Sequence, residues 1–228
     1  MRVESIQTGQ PRTSGSASAT DPLDRVWTSA IWKEPVQGRV WAGRDGLSGD
    51  AQVWKAGHGG PERALLLYAA AHYPLWRAEW GTKNLGPGGF GENLTVSGLD
   101  ETAVCVGDVF QLGAVRLEVS GPRGPCNNLV RRHRRPGLIE RVNETGRAGW
   151  YARVHQEGWL EAGIGLVLLD RPYPQWTIAR ASVVKRHAKD QPTEAALLAS
   201  CPALLADWRT KLGQTAGPID VAPSGGRL

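Results

Sequence analysis

The stretch DVFQLGAVRLEVSGPRGPC, residues 108–126, is where the fold becomes readable. Its first part splits into Asp108–Leu112 and Ala114–Val119, a hairpin-like pair in which Val115, Leu117 and Val119 alternate with polar residues. Period-two alternation places one face of a strand on a core and the other in water. The second part, Gly121–Cys126, holds two glycines, two prolines, one arginine and one cysteine in six residues. Proline fixes φ and removes a backbone donor, while glycine permits turns closed to other residues. A loop so built holds a thiol in a chosen direction.

A short helix is expected over Asn127–His133, which places Cys126 at its N-terminus, beside Arg123 and ahead of Arg131, Arg132, Arg134 and Arg135. Helix dipole and nearby cations both favour thiolate, so Cys126 is a candidate reactive or metal-binding sulfur. The same residues also read as a half-buried cysteine beside a solvated arginine helix, and local chemistry leaves both open.

A chain of 228 residues supports one good core with a small appendage. With 41% hydrophobic and 21% charged residues its composition is globular. No apolar run approaches the roughly 18 residues of a membrane helix, and MRVESIQTGQ lacks the apolar segment of a signal peptide. Cys105, Cys126 and Cys201 are odd in number and far apart, which argues against a disulfide framework or a CxxC metal site and for a reducing cytosol. The net charge of +5 is local in origin: Arg123 to Arg153 holds eight arginines against Glu140 and Glu144. Guanidinium forks match phosphate oxygens, so an anionic ligand is expected, with nucleic acid as another anionic partner.

Arg2–Gln7 reads as an opening strand, 9–22 as an exposed Ser/Thr/Gly-rich loop, and Ala30–Lys33 and Gly38–Ala42 as strands. In Gly57-His58-Gly59-Gly60-Pro61-Glu62-Arg63, Pro61 opens a helix expected to run through Ala64–His72 until Pro74 interrupts it. Free N–H groups at Gly59 and Gly60 would make its start an anion site, with Arg63 one turn in. An ordinary joint with a surface His58 is the plainer alternative. Gly89, Phe90, Gly91, Glu92 and Asn93 end a glycine-rich run from Gly86 that reads either as a turn with Phe90 in the core or as a ligand-lining loop. It is not a P-loop, for the Lys-Ser/Thr is absent.

Counting eight or so short strands and few helices, the fold class is mainly β with α: a closed or nearly closed β-barrel over 1–174. A small three-helix subdomain is expected over 175–212, from Thr177–His187, Thr193–Ser200 and Pro202–Leu212, with Thr177 and Thr193 as N-caps and Gly213 as the stop. Residues 213–228 read as a flexible tail. The helices' apolar residues must be covered by each other, by the barrel or by a second copy in a homodimer. A chain cut after Pro174 is expected to keep the barrel. Most of the ten tryptophans read as packing residues.

Taken in order, His58-Gly59-Gly60…Arg63, Gly89-Phe90-Gly91-Glu92-Asn93-Leu94 and Pro122-Arg123-Gly124-Pro125-Cys126 resemble the MOSC family, named for the C-terminal domain of molybdenum cofactor sulfurase. Gly49-Asp50, Val106-Gly107-Asp108 and Gly146-Arg147…Gly149-Trp150-Tyr151 extend the likeness. The helical trio is similar to the 3-alpha domain of the family's stand-alone bacterial members, so the resemblance covers about residues 1 to 212. It implies a β-barrel and a pterin-bound molybdenum cofactor, with Cys126 as molybdenum ligand or persulfide carrier. The loops of His58, Gly59, Gly60 and Arg63 and of Gly89, Phe90, Gly91, Glu92 and Asn93 would surround the pterin with Arg123. Some relatives carry a second histidine where this chain has Gly57, and some an iron–sulfur domain for which this chain has no cysteine cluster.

The resemblance implies a cytoplasmic molybdenum-dependent oxidoreductase that reduces small N-hydroxylated compounds, such as hydroxylaminopurine bases, with electrons from an external donor protein. A thiolate suits a polarizable metal, and the cofactor would do the redox work within a pocket shaped by the protein. Two other readings stand beside it: a sulfur-transfer or cofactor-carrier protein using a Cys126 persulfide, and a nucleic-acid module using Arg131–Arg135. No nucleic-acid motif supports the last.

Overall fold

The structure is a computed structural model and describes residues 1–216. In chain order its strands are β1 (Arg2–Thr8), β2 (Arg12–Ser14), β3 (Trp27–Ser29), β4 (Glu34–Pro35), β5 (Val40–Gly43) and β6 (Gly46–Leu47). Then follow β7 (Leu65–Ala69), β8 (Leu94–Ser97), β9 (Val109–Leu112), β10 (Val115–Pro122), β11 (Trp150–Gln156), β12 (Gly158–Leu160) and β13 (Val167–Asp170). Eight of them form one curled sheet in the order β13-β9-β10-β11-β7-β8-β1-β4. The sheet is a half-barrel. Its ladder ends at β13 and β4, although Val3 donates to the Ile164 carbonyl and Leu166 to that of Met1, tying β1 to the segment before β13. The architecture is therefore mixed α and β: where a closed or nearly closed barrel was expected, the strands form a curled half-barrel sheet whose ladder is not continuous around the ring.

At the centre lies β10. Val115, Leu117 and Val119 are buried, Arg116 is exposed and Glu118 is partly so, which is the alternation read from the sequence. Beyond Val119 both faces become covered, and the register against β11 shifts between Val119 and Gly121. Gly121 has φ +149°, and a Cβ there would meet the side chains of Leu204 and Leu205 at 3.2 Å. The bulge thus lets the C-terminal helices approach the strand that feeds the proline loop.

Leu65–Ala69 is a strand, not the helix expected over Ala64–His72. β7 lies inside the sheet between β11 and parallel β8, and all five of its residues are buried, with Leu65, Leu66 and Leu67 in one core cluster and Tyr68 in the other. A strand covered on both faces shows no alternation, and its apolar run imitates a helical face. The helix α2 instead starts at His72 (His72–Trp80), with Pro74 in its first turn, where a missing N–H costs nothing. Pro61–Arg63 is only a 3-10 turn, so no helix N-terminus forms at Gly59 and Gly60. Ala30–Lys33 is irregular, lying between β3 and β4. Upstream is the short α1 (Lys55–His58); downstream are α3 (Asn127–His133) and α4 (Leu138–Thr145).

Three helices close the described chain: α5 (Ile178–Arg186), α6 (Pro192–Ala199) and α7 (Ala206–Ala216). Thr177 caps α5, its hydroxyl accepting from Arg180 N–H at 3.1 Å. Thr193 is no cap: α6 starts one residue earlier, at Pro192. Gly213 does not stop α7, which runs on to Ala216, and the expected flexible tail lies, from residue 217, outside the described residues. Ile178, Ala181, Leu198, Leu204, Leu205 and Leu212 share one hydrophobic core with Val104, Leu117, Val119 and Trp150 of the sheet region. A second cluster, around Tyr68, Tyr73, Trp76, Phe90, Leu129 and Val142, fills the space between α2, the glycine-rich loop, α3 and α4.

Candidate functional site

Between the two clusters opens a cleft with about 780 Å³ of empty space, counting its mouth. Most of its wall comes from 28–33, 51–58, the glycine-rich loop and the proline loop, with Arg63, Leu66, Asn128 and Tyr151 completing it. Of the residues singled out in the sequence, His58, Arg63, Phe90, Gly91, Asn93, Arg123 and Cys126 line it. Gly59, Gly60, Gly89 and Glu92 do not.

Cys126 is the N-cap residue of α3, whose bounds, Asn127–His133, are those read from the sequence. Burial pushes its thiol up, but a hydrogen bond with His58, the Arg123 charge and the Asn128 N–H outweigh this and bring it from 9.0 down to about 7. Cys105 and Cys201 are buried, and burial raises both thiols. Among the described residues no group of three His, Cys, Asp or Glu could hold a metal ion, so the cleft offers a metal one soft sulfur and would need other ligands from outside the chain.

Arg123 is 5% exposed and lines the cleft. Its Nη1 reaches the Ala148 carbonyl at 3.4 Å, and among the described residues no carboxylate pairs with it. Burial of an unpaired cation is costly, and an anion in the cleft would relieve it. Arg63 differs: it donates to Asp207 of α7 at 2.6 Å and lies over the Tyr151 ring at 5.6 Å. A third cation, Lys33, is buried and ion-paired with Asp50. Burial pulls the Lys33 amine below its usual range against the pull of that carboxylate.

The glycine-rich loop is held from behind. Glu92, fully buried, accepts from Gly88 N–H at 2.7 Å, Phe90 N–H at 3.1 Å, Thr95 Oγ1 at 2.8 Å and the Tyr73 hydroxyl. Phe90 stacks on Tyr68 with ring centroids 4.7 Å apart. Asn93 Nδ2 donates to Asp50 at 2.9 Å, and its Oδ1 accepts from Leu66 N–H at 3.1 Å. So Glu92 and Asn93 fold the loop, while Phe90 and Gly91 face the cleft as well as the core.

The basic run is not a solvated helix face. Arg131 donates to the Leu23 and Arg25 carbonyls, Arg132 to Ile31 and Gly88, Arg134 to Asp24, and Arg135 to Trp80. These arginines pin the 21–33 segment and the glycine-rich loop, which are walls of the cleft. Tyr151, which the sequence marked only as part of the family likeness, also lines it, as do Lys33, Trp54 and Asn128, which were not singled out. None of the last three belongs to a motif of its own, and only the lysine of Trp32-Lys33-Glu34, a charge beside an apolar stretch, could have drawn notice.

A MOSC domain family model matches residues 55–166. The chain is 41% identical over 180 residues, 78% of its length, to a protein named Reductase from Gibberella moniliformis, of which it spans only 31%. It is 34% identical over 183 residues to Protein YiiM of Escherichia coli, covering 79% of this chain and 81% of that one. A crystal structure of YiiM from Geobacillus stearothermophilus matches with a TM-score of 0.78 at 33% identity, over 95% of this chain and 99% of the other.

Proposed function

Since this chain belongs to the MOSC domain family, we propose that its cleft holds a molybdenum cofactor of the pterin type and that it reduces small N-hydroxylated compounds. The observation that carries this reading is Arg123, a buried guanidinium without a carboxylate partner, in the same cleft as a thiol lowered to about 7. One asks for an anion such as a phosphate tail; the other is the soft donor a molybdenum centre would take. The Reductase name of the Gibberella relative is consistent with it.

When bound, the cofactor would supply two-electron chemistry at the metal. The balance is R–NH–OH + 2 e⁻ + 2 H⁺ → R–NH₂ + H₂O, with both electrons delivered by an external donor protein. Cys126 Sγ would anchor the metal as thiolate, which His58, Arg123 and the Asn128 N–H stabilise. Arg123, Arg63 and Lys33 would hold anionic groups. His58 beside Cys126, and Lys33 Nζ with its lowered affinity for protons, can each hold a proton at the cleft wall. Phe90 and Leu66 keep part of the wall apolar.

The low thiol pKa also favours a second reading, sulfur transfer through a Cys126 persulfide. Freshly isolated protein is to be analysed for molybdenum, pterin and sulfane sulfur, then assayed with an N-hydroxylated base and a chemical reductant. Metal, pterin and turnover are expected; sulfane sulfur on Cys126 without metal would overturn the reductase reading in favour of the second.

A further inference from the structure

Trp54 is 63% exposed, an unusual state for the largest side chain, and it lines the mouth of the cleft. It is not loosely placed. Its carbonyl accepts from His58 N–H at 3.0 Å, and its ring meets the His58 imidazole edge to face, centroids 5.3 Å apart at 89°. His58 lines the cleft together with Cys126 and is one of the groups that lower its thiol. Gly57 makes room for the indole: a Cβ there would lie 2.3 Å from the ring. Backbone, imidazole and Gly57 together hold the indole in the wall of the cleft that also holds the thiol, while most of its surface remains in water. Val53, also exposed, flanks it.

We propose that Trp54 is a stacking platform that positions a planar heteroaromatic N-hydroxylated compound at the cleft mouth. An indole offers a large apolar face to a flat ring, with offset or edge geometry preferred, and it offers no such gain to a small aliphatic hydroxylamine. The residue thereby sets specificity for flat rings over open-chain N-hydroxylated compounds. This inference rests on the reductase reading above.

The holoenzyme is assayed with a chemical reductant on two substrates, 6-hydroxylaminopurine and N-methylhydroxylamine. Trp54→Ala is expected to raise KM for the purine roughly tenfold with kcat nearly unchanged, and to leave KM for N-methylhydroxylamine unchanged. Trp54→Phe should recover most of the loss. Gly57→Ala keeps the indole but pushes it aside, so it should resemble Trp54→Ala on the purine. Equal effects on both substrates, or no effect, overturn the proposal. Binding gives a readout free of turnover: adenine should quench wild-type tryptophan fluorescence more than that of Trp54→Phe. An enzyme that reduces neither compound but shows this quenching difference would refute the reductase reading and leave the platform standing; equal quenching would remove the platform.

Discussion

Arg63, at the wall of the cleft, and Asp207, on the last helix, are 144 residues apart in sequence and joined by a hydrogen bond of 2.6 Å. The same helix start supplies Ala206 N–H to Glu62 at 3.0 Å, and Leu205 N–H donates to Ser120 in β10 at 2.9 Å. The C-terminal helices thus brace two of the loops that build the cleft. Asp207 is 42% exposed at its side chain, so its pair with Arg63 contributes at most about 1 kcal/mol to stability. Asp207→Asn is therefore expected to move Tm little but to lower retention of an anionic cofactor several-fold. Unchanged cofactor content would show that Arg63 holds its place without help.

A chain cut after Pro174 should not behave as a barrel with its appendage removed. It loses Ile178, Leu198, Leu204, Leu205 and Leu212 from the core that also holds Leu117 and Val119. Burying such side chains stabilises by about 1.5–3 kcal/mol each, more than a typical domain can lose. Residues 1–174 are expected to aggregate or to lack near-ultraviolet circular dichroism. A soluble, cooperatively unfolding fragment would support the division at 174 expected from the sequence.

The thiol of Cys126 titrates near 7 in the folded chain against an ordinary 9.0. Its depressed value means that folding favours the thiolate. The resulting stability is fully present above pH 9, and declines as pH falls from 9 to 7. Iodoacetamide should modify Cys126 with a midpoint near pH 7. His58→Ala should shift that midpoint upward, since one of the groups that lower it is gone. Cys105 and Cys201 should stay unreactive, and Cys105→Ser and Cys201→Ser should keep activity that Cys126→Ser loses. A midpoint unmoved in His58→Ala would assign the low value to Arg123 and the Asn128 N–H.

Arg123 and Arg134 should respond in opposite ways. Arg123→Met removes a buried, unpaired cation, so the cofactor-free protein is expected to be at least as stable as wild type while cofactor retention collapses. Arg134→Ala breaks an exposed pair with Asp24 and should cost under about 1 kcal/mol with cofactor content unchanged. Thermal unfolding and molybdenum content measured on both variants check this, and equal cofactor loss in the two would misplace the anion.

Glu92→Ala would strand the N–H groups of Gly88 and Phe90 in a buried turn. Each unmade bond costs about 1–3 kcal/mol, so a loss of several kcal/mol and a disordered glycine-rich loop are expected. Chemical denaturation measures the first and limited proteolysis near Gly86–Gly91 the second. A variant as stable as wild type would mean that the loop is set by Phe90 packing alone.

Much of this was legible in the sequence because it is local. The alternation of Val115, Leu117 and Val119, the turn chemistry of Gly121–Cys126 and the bounds of α3 depend on neighbours within a few residues, and the structure keeps them. The three motifs also marked the stretches that supply much of the cleft wall. What the sequence could not determine was anything fixed by partners far along the chain. Leu65–Ala69 is a strand only because β8 and β11 cover its two edges, and five consecutive apolar residues carry no period that says so. Arg131–Arg135 read as a solvated run until carbonyls of residues 23–31, 80 and 88 arrived to bind them. Lys33 and Asp50, and Arg63 and Asp207, are unremarkable in isolation, since a charge's role depends on whether its counter-charge is brought within hydrogen-bond reach, and only the folded chain does that.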